Sequence, residues 1–79
     1  MNYLEKINEI KGKLTSAGHP NLVHEILDRQ ASGGIGGEVL ISVCSKLIEI
    51  KYTSPGAYAI IEDESNNLIN YCKSLSLYH

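Results

Sequence analysis

The sequence predicts an all-α fold, a small antiparallel bundle of four helices forming a single domain over residues 1–79. Three observations lead there. Four stretches carry apolar residues at helical spacing, glycine and proline punctuate the gaps between them, and no stretch alternates apolar and polar residues over the length of a strand. Connections of about two to six residues favour antiparallel neighbours. At 79 residues and 8.7 kDa the chain can build one core. A domain of this size buries only roughly 60% of the surface its unfolded chain exposes, which leaves no room for a deep cavity beside the core, so no cofactor is expected. A hydrophobic fraction of 43% places the chain among globular sequences rather than disordered ones.

The first helix is read from Asn2 to Ala17. Tyr3, Ile7, Ile10, Leu14 and Ala17 form one stripe, and Leu4 widens it. Asn2 and Glu5 have the spacing of a capping box, and Glu9 and Lys13 make a favourable i,i+4 pair. Gly12 interrupts the pattern at a cost of about 1 kcal/mol relative to alanine. Gly18 then offers a left-handed stop, and Pro20 suits the first turn of a second helix. That second helix extends to about Ala31, with Leu22, Val23, Ile26, Leu27 and Gln30 on one side and Glu25 and Arg29 paired on the other.

The run Ser32-Gly33-Gly34-Ile35-Gly36-Gly37 ends the second helix, because glycines at about 1 kcal/mol each cannot sustain one. From Val39 to Ile50 most residues are apolar, as in a buried strand. The polar remainder decides for a helix: Ser42, Ser45, Lys46 and Glu49 fall at i, i+3, i+4 and i+7 and form one narrow stripe. This third helix is expected to be the central one. Thr53-Ser54-Pro55 places a capping hydroxyl before a proline, which starts a fourth helix running from about Pro55 to Leu75. Its inward stripe is Ala57, Ile61, Leu68, Cys72 and Leu75, widened by Tyr58, Ile60, Ile69 and Tyr71. A kink or break is expected at Asn66-Asn67, both weak helix formers.

Charge excludes one class of partner. Seven basic against nine acidic residues give a net charge of −2 and a pI near 5.8, the opposite of a nucleic-acid binder's basic footprint. Glu5, Lys6, Glu9, Lys11 and Lys13 interrupt the N-terminal segment, so neither a signal peptide nor a membrane span is expected and a cytoplasmic location is. Cys44 and Cys72 are too few for a disulfide-stapled secreted scaffold and are read as reduced core thiols.

Catalytic and metal chemistry find little support. The glycine connector lacks the Lys-Ser or Lys-Thr of a phosphate loop and is followed by Glu38, whose carboxylate complements the helix dipole and repels phosphate. His19, His24 and His79 do not make an i,i+4 ligand pair, and no metal site is expected. Cys44 lies between Val43 and Leu47, where burial blunts a thiol nucleophile. An acyl carrier would need Asp-Ser-Leu at the start of the second helix, and a helix-turn-helix reader would need a more basic third helix; the chain has neither. No catalytic residue is assigned, and the chain is not expected to be an enzyme.

Glu62-Asp63-Glu64 is the one acidic run. Adjacent helical residues point about 100° apart, so the three carboxylates do not converge on a small substrate. They form either a solvated face or a negative patch for a basic protein partner. Tyr52 and Tyr58 flank the turn leading into this helix, and exposed tyrosines favour an interface. The expected partner-binding residues are therefore Glu62, Asp63, Glu64, Tyr52 and Tyr58.

The stretch Ser32-Gly33-Gly34-Ile35-Gly36-Gly37-Glu38-Val39-Leu40, between an amphipathic helix and one containing Lys46-Leu47, resembles a group of small helical bacterial proteins. Their pattern is Ser-Gly, a few small residues, then Glu-Ile-Leu. The likeness spans Tyr3 to Leu77 and includes Ile69-Asn70-Tyr71-Cys72-Lys73-Ser74-Leu75; it departs at Gly37, where a small hydroxyl residue commonly precedes the glutamate. Some of these proteins look like immunity proteins of contact-dependent growth inhibition systems. The resemblance implies an inhibitor that binds and neutralises a cognate toxin domain with a basic surface; the competing reading is a small helical adaptor or regulatory module.

Overall fold

Residues 2–32 and 37–75 are described by the computed structural model. Among them are five helices and no strand: α1 (Tyr3–Ser16), α2 (Pro20–Ser32), α3 (Gly37–Thr53), α4 (Pro55–Ile60) and α5 (Glu62–Ser74). The expected all-α class holds, with five helices where four were expected. Gly33–Gly36, most of the glycine connector, lie outside the described residues, as does His79.

α1 starts where its cap dictates. The side-chain oxygen of Asn2 accepts from the backbone N–H groups of Leu4 at 3.1 Å and Glu5 at 3.3 Å, satisfying two of the donors a helix start leaves unpaired. At the other end His19 N–H reaches back to Leu14 O and Gly18 N–H to Thr15 O, the pairing of a Schellman turn. That turn needs a left-handed residue, and Gly18 supplies it at φ +82°.

Ile7, Ile10 and Leu14 of α1, Ile26 of α2, Leu40, Val43, Cys44, Leu47 and Ile50 of α3, Ala57 and Tyr58 of α4, Ile61, and Leu68 and Cys72 of α5 make one buried cluster. Each large aliphatic side chain so buried contributes about 1.5–3 kcal/mol relative to exposure. α3 supplies the most members and packs against α2, α4 and α5, while α1 touches α2 and α5. The long helices thus close a ring, α1 to α2 to α3 to α5 and back to α1, around this cluster. The radius of gyration is 11.4 Å.

Several sequence expectations are corrected. The fourth helix breaks at Ile61, not at Asn66-Asn67: Ile61 has φ −113° and ψ 15°, its N–H bonds to Tyr58 O, and its carbonyl accepts from Ser65 to begin α5. Asn66 and Asn67 stay helical because their weak propensities are worth only tenths of a kcal/mol against the burial of Leu68 and Cys72. Ser54 occupies the cap position of α4 without a side-chain cap bond; instead its N–H continues the α3 pattern to Ile50 O at 2.8 Å. Leu75, expected inside, is 48% exposed just past the end of α5, and Leu27 lies on the surface of α2, leaving Ile26 as that helix's fully buried anchor.

Candidate partner-binding surface

The acidic run opens α5. All three carboxylates fall in its first turn, where they complement the positive end of the helix dipole. Their surroundings differ. Glu62 and Asp63 are exposed and form no ion pair among the described residues, whereas Glu64 turns inward and meets Lys13 of α1 at 2.6 Å. The hydrogen bond from the Lys13 ammonium holds the Glu64 carboxyl below its ordinary pKa, against the opposing effect of partial burial. Its second oxygen, Oε1, is buried without a partner among the described residues. Glu64 is therefore a strut between α1 and α5, and the free negative charge of the run is carried by Glu62 and Asp63.

The tyrosines also divide. Tyr52, near the end of α3, is 79% exposed. Tyr58, expected to share that surface, is 3% exposed and belongs to the core cluster, so it has no ring to offer a partner. It is buried because it sits one residue from Ala57 on the inward side of the six-residue α4, and its hydroxyl finds an acceptor in Asn66 Oδ1 at 2.9 Å. A buried phenol needs such an acceptor. Burial, followed by the nearby charge of Glu62, raises the Tyr58 pKa. Lys51 Nζ lies 5.9 Å from the centroid of the same ring.

A second charged assembly was not anticipated. Lys46, read from spacing as part of the polar stripe of α3, is only 5% exposed and is clasped by Glu25 of α2 at 2.5 Å and Glu49 of its own helix at 3.3 Å. Glu49 also meets Arg29 of α2 at 3.5 Å. Burial alone would lower the Lys46 pKa, but the hydrogen bonds to Glu25 and Glu49 outweigh it and raise the pKa. The sequence carried a signal for this network: Glu25 and Arg29 stand four residues apart on α2, and Lys46 and Glu49 three apart on α3. Spacing alone gives no means of choosing cross-helix partners over partners within one helix. The network joins α2 to α3 and is structural.

Cys44 and Cys72, from α3 and α5, are both fully buried and unpaired by a disulfide. Burial, helped by the neighbouring Cys72, pushes the Cys44 thiol up to about 12, and burial also raises Cys72. Protonated thiols without solvent access are poor nucleophiles. Among the described residues, no group of three or more His, Cys, Asp and Glu side chains is arranged to hold a metal ion, and no helix is long and apolar enough to cross a membrane.

Two depressions mark the surface. A broad, shallow one between α1 and α4 is bordered by Gly12, Lys13, Ser16, Ala17 and the half-exposed Ile60. A smaller cleft of about 250 Å³ lies between α3 and α5, with Tyr58 of α4 at its border. No family model, curated protein or solved structure matches this chain.

Proposed function

We propose that this chain is an immunity protein, a stoichiometric inhibitor that binds and neutralises a toxin domain of the contact-dependent growth inhibition type. The observation that carries the reading is the pair of exposed carboxylates at the start of α5, Glu62 and Asp63, which form no ion pair among the described residues. Unpaired charge on a rigid helix end steers and orients a partner of opposite sign. The partner expected from the motif at Ser32–Leu40 is a toxin domain with a basic surface, such as the cleft in which a nuclease holds nucleic acid. Tyr52, standing out from the end of α3, adds a rigid amphipathic contact of the kind enriched at interfaces.

The test is growth rescue. Cells producing the toxin domain encoded beside this chain's gene should regain growth when the chain is co-expressed, and the two purified proteins should form a one-to-one complex. A neighbouring gene that encodes no toxin, or a toxin that is neither bound nor blocked, would overturn the reading. A stable complex with a non-toxic neighbouring gene product would instead favour the adaptor reading.

A further inference from the structure

The chain has seven basic residues. Five are engaged: Lys6 with Glu9, Lys11 with the Gln30 side chain, Lys13 with Glu64, Arg29 with Glu49, and Lys46 with Glu25 and Glu49. Lys51 and Lys73 are the two without an ion pair or side-chain hydrogen bond among the described residues, and both line the same cleft between α3 and α5. Each lies in the last turn of its helix, where a cation offsets the negative end of the dipole. That effect accounts for a lysine at each helix end but not for their sharing one concave site.

The rest of the cleft is chemically one-sided. Asn66 and Asn70 line it from α5, on the helix face that continues to Lys73, and Tyr52 lines it from α3. The Oδ1 of Asn66 is occupied by the Tyr58 hydroxyl at 2.9 Å, so the group Asn66 retains for a ligand is its NH2 donor. Among the described residues no carboxylate lines the cleft, and Glu62 acts electrostatically on the Tyr58 hydroxyl at its border. Ile48 and Ile69 provide apolar walls.

We propose that this cleft binds a small phosphate-class oxyanion, either free or as the phosphate of a small organic ester. Lys51 and Lys73 supply the charge, and the Asn66 and Asn70 amides the directional donors. Charge-assisted hydrogen bonds of this kind are about twice as strong as neutral ones. A volume of about 250 Å³ suits a phosphate with a small body and is too small for a large cofactor. The site shares Tyr52 with the proposed toxin interface but uses neither Glu62 nor Asp63.

The full chain, labelled with nitrogen-15, would be titrated with inorganic phosphate and separately with phenyl phosphate while amide and side-chain signals are followed. Saturable shifts clustered at Lys51, Asn66, Asn70 and Lys73, weakened about tenfold or more in the Lys51→Gln/Lys73→Gln double variant and unchanged in Lys6→Gln, support the site. Asn70→Asp places a carboxylate in the cleft at an exposed position and should abolish the response without disturbing the fold. Phenyl phosphate binding more tightly than phosphate, with the difference lost in Tyr52→Ala, would assign an organic ester; equal binding would assign the free anion. Absence of saturation with both probes, or equal weakening in Lys6→Gln and the double variant, would overturn the proposal.

Discussion

Single residues separate by whether their polar atoms find partners. Ser65 is fully buried on α5, and its hydroxyl has no partner among the described residues. A buried hydroxyl left without a bond costs about 1–3 kcal/mol, so Ser65→Ala should leave stability unchanged or raise it by about 1 kcal/mol. Urea unfolding measures this directly, and a loss above 1 kcal/mol would mean that the hydroxyl is satisfied in solution. Glu64 is the contrasting case. Its folded pKa lies below the unfolded value because Lys13 donates to the charged form. The stabilisation is therefore complete above the ordinary glutamate pKa of about 4.3 and is lost as pH falls through the lower folded value. Lys13, whose own pKa is raised by the same hydrogen bond, stays charged throughout that window. Wild type should accordingly exceed Glu64→Gln in urea midpoint at pH 7, and that advantage should shrink as pH falls below about 4.3; a difference that does not change with pH would show that the pair contributes nothing. The sequence announced the three acids of this run but not their unequal fates. Which of three adjacent carboxylates meets a lysine 51 positions earlier in the chain depends on the register of α5 against α1, and no local pattern encodes it.

At the scale of elements, periodicity and punctuation located α1, α2 and α3 to within a few residues, because a stripe and a cap are local properties of the chain. The break at Ile61 was invisible for a definite reason. Ala57, Ile61, Ser65, Leu68 and Cys72 keep four- and three-residue steps straight across it and all are buried, so the apolar pattern reads as one helix where the backbone makes two. Burial of Lys46 was hidden in the same way: a lysine on a polar stripe reads as exposed until the partner helix brings Glu25 against it. Gly12 allows a test of what local propensity is worth here. A Cβ at this position in α1 would meet no atom within 4 Å, so packing does not demand the glycine. Gly12→Ala should therefore stabilise the chain by about 0.5–1 kcal/mol through helix propensity alone. Thermal unfolding followed by circular dichroism gives the answer, and a lower midpoint in the variant would show that the shallow depression beside Gly12 closes at a cost.

For the whole molecule, charge arrangement matters more than net charge. Through Ile61 the chain carries six acidic and six basic residues; Lys6 is paired within α1, and Arg29 and Lys46 are paired across the α2–α3 interface. Lys13 then cancels Glu64, leaving Glu62 and Asp63 as a localised negative end and Lys51 and Lys73 as a localised positive cleft. A basic partner attracted by the first feature should respond to it residue by residue. Glu62→Gln/Asp63→Asn should weaken binding to the cognate partner by about tenfold or more and flatten its dependence on salt, since rim charges act chiefly through long-range steering screened over about 10 Å at 0.1 M salt. Glu64→Gln should change stability through the loss of its Lys13 pair and alter affinity far less, although it removes the same formal charge. Calorimetric titration of the complex across a salt series separates the two effects. If Glu64→Gln weakens binding as much as the double variant does, net charge governs recognition. If neither change alters binding, the partner contacts another face, and the acids at the start of α5 serve the helix dipole alone.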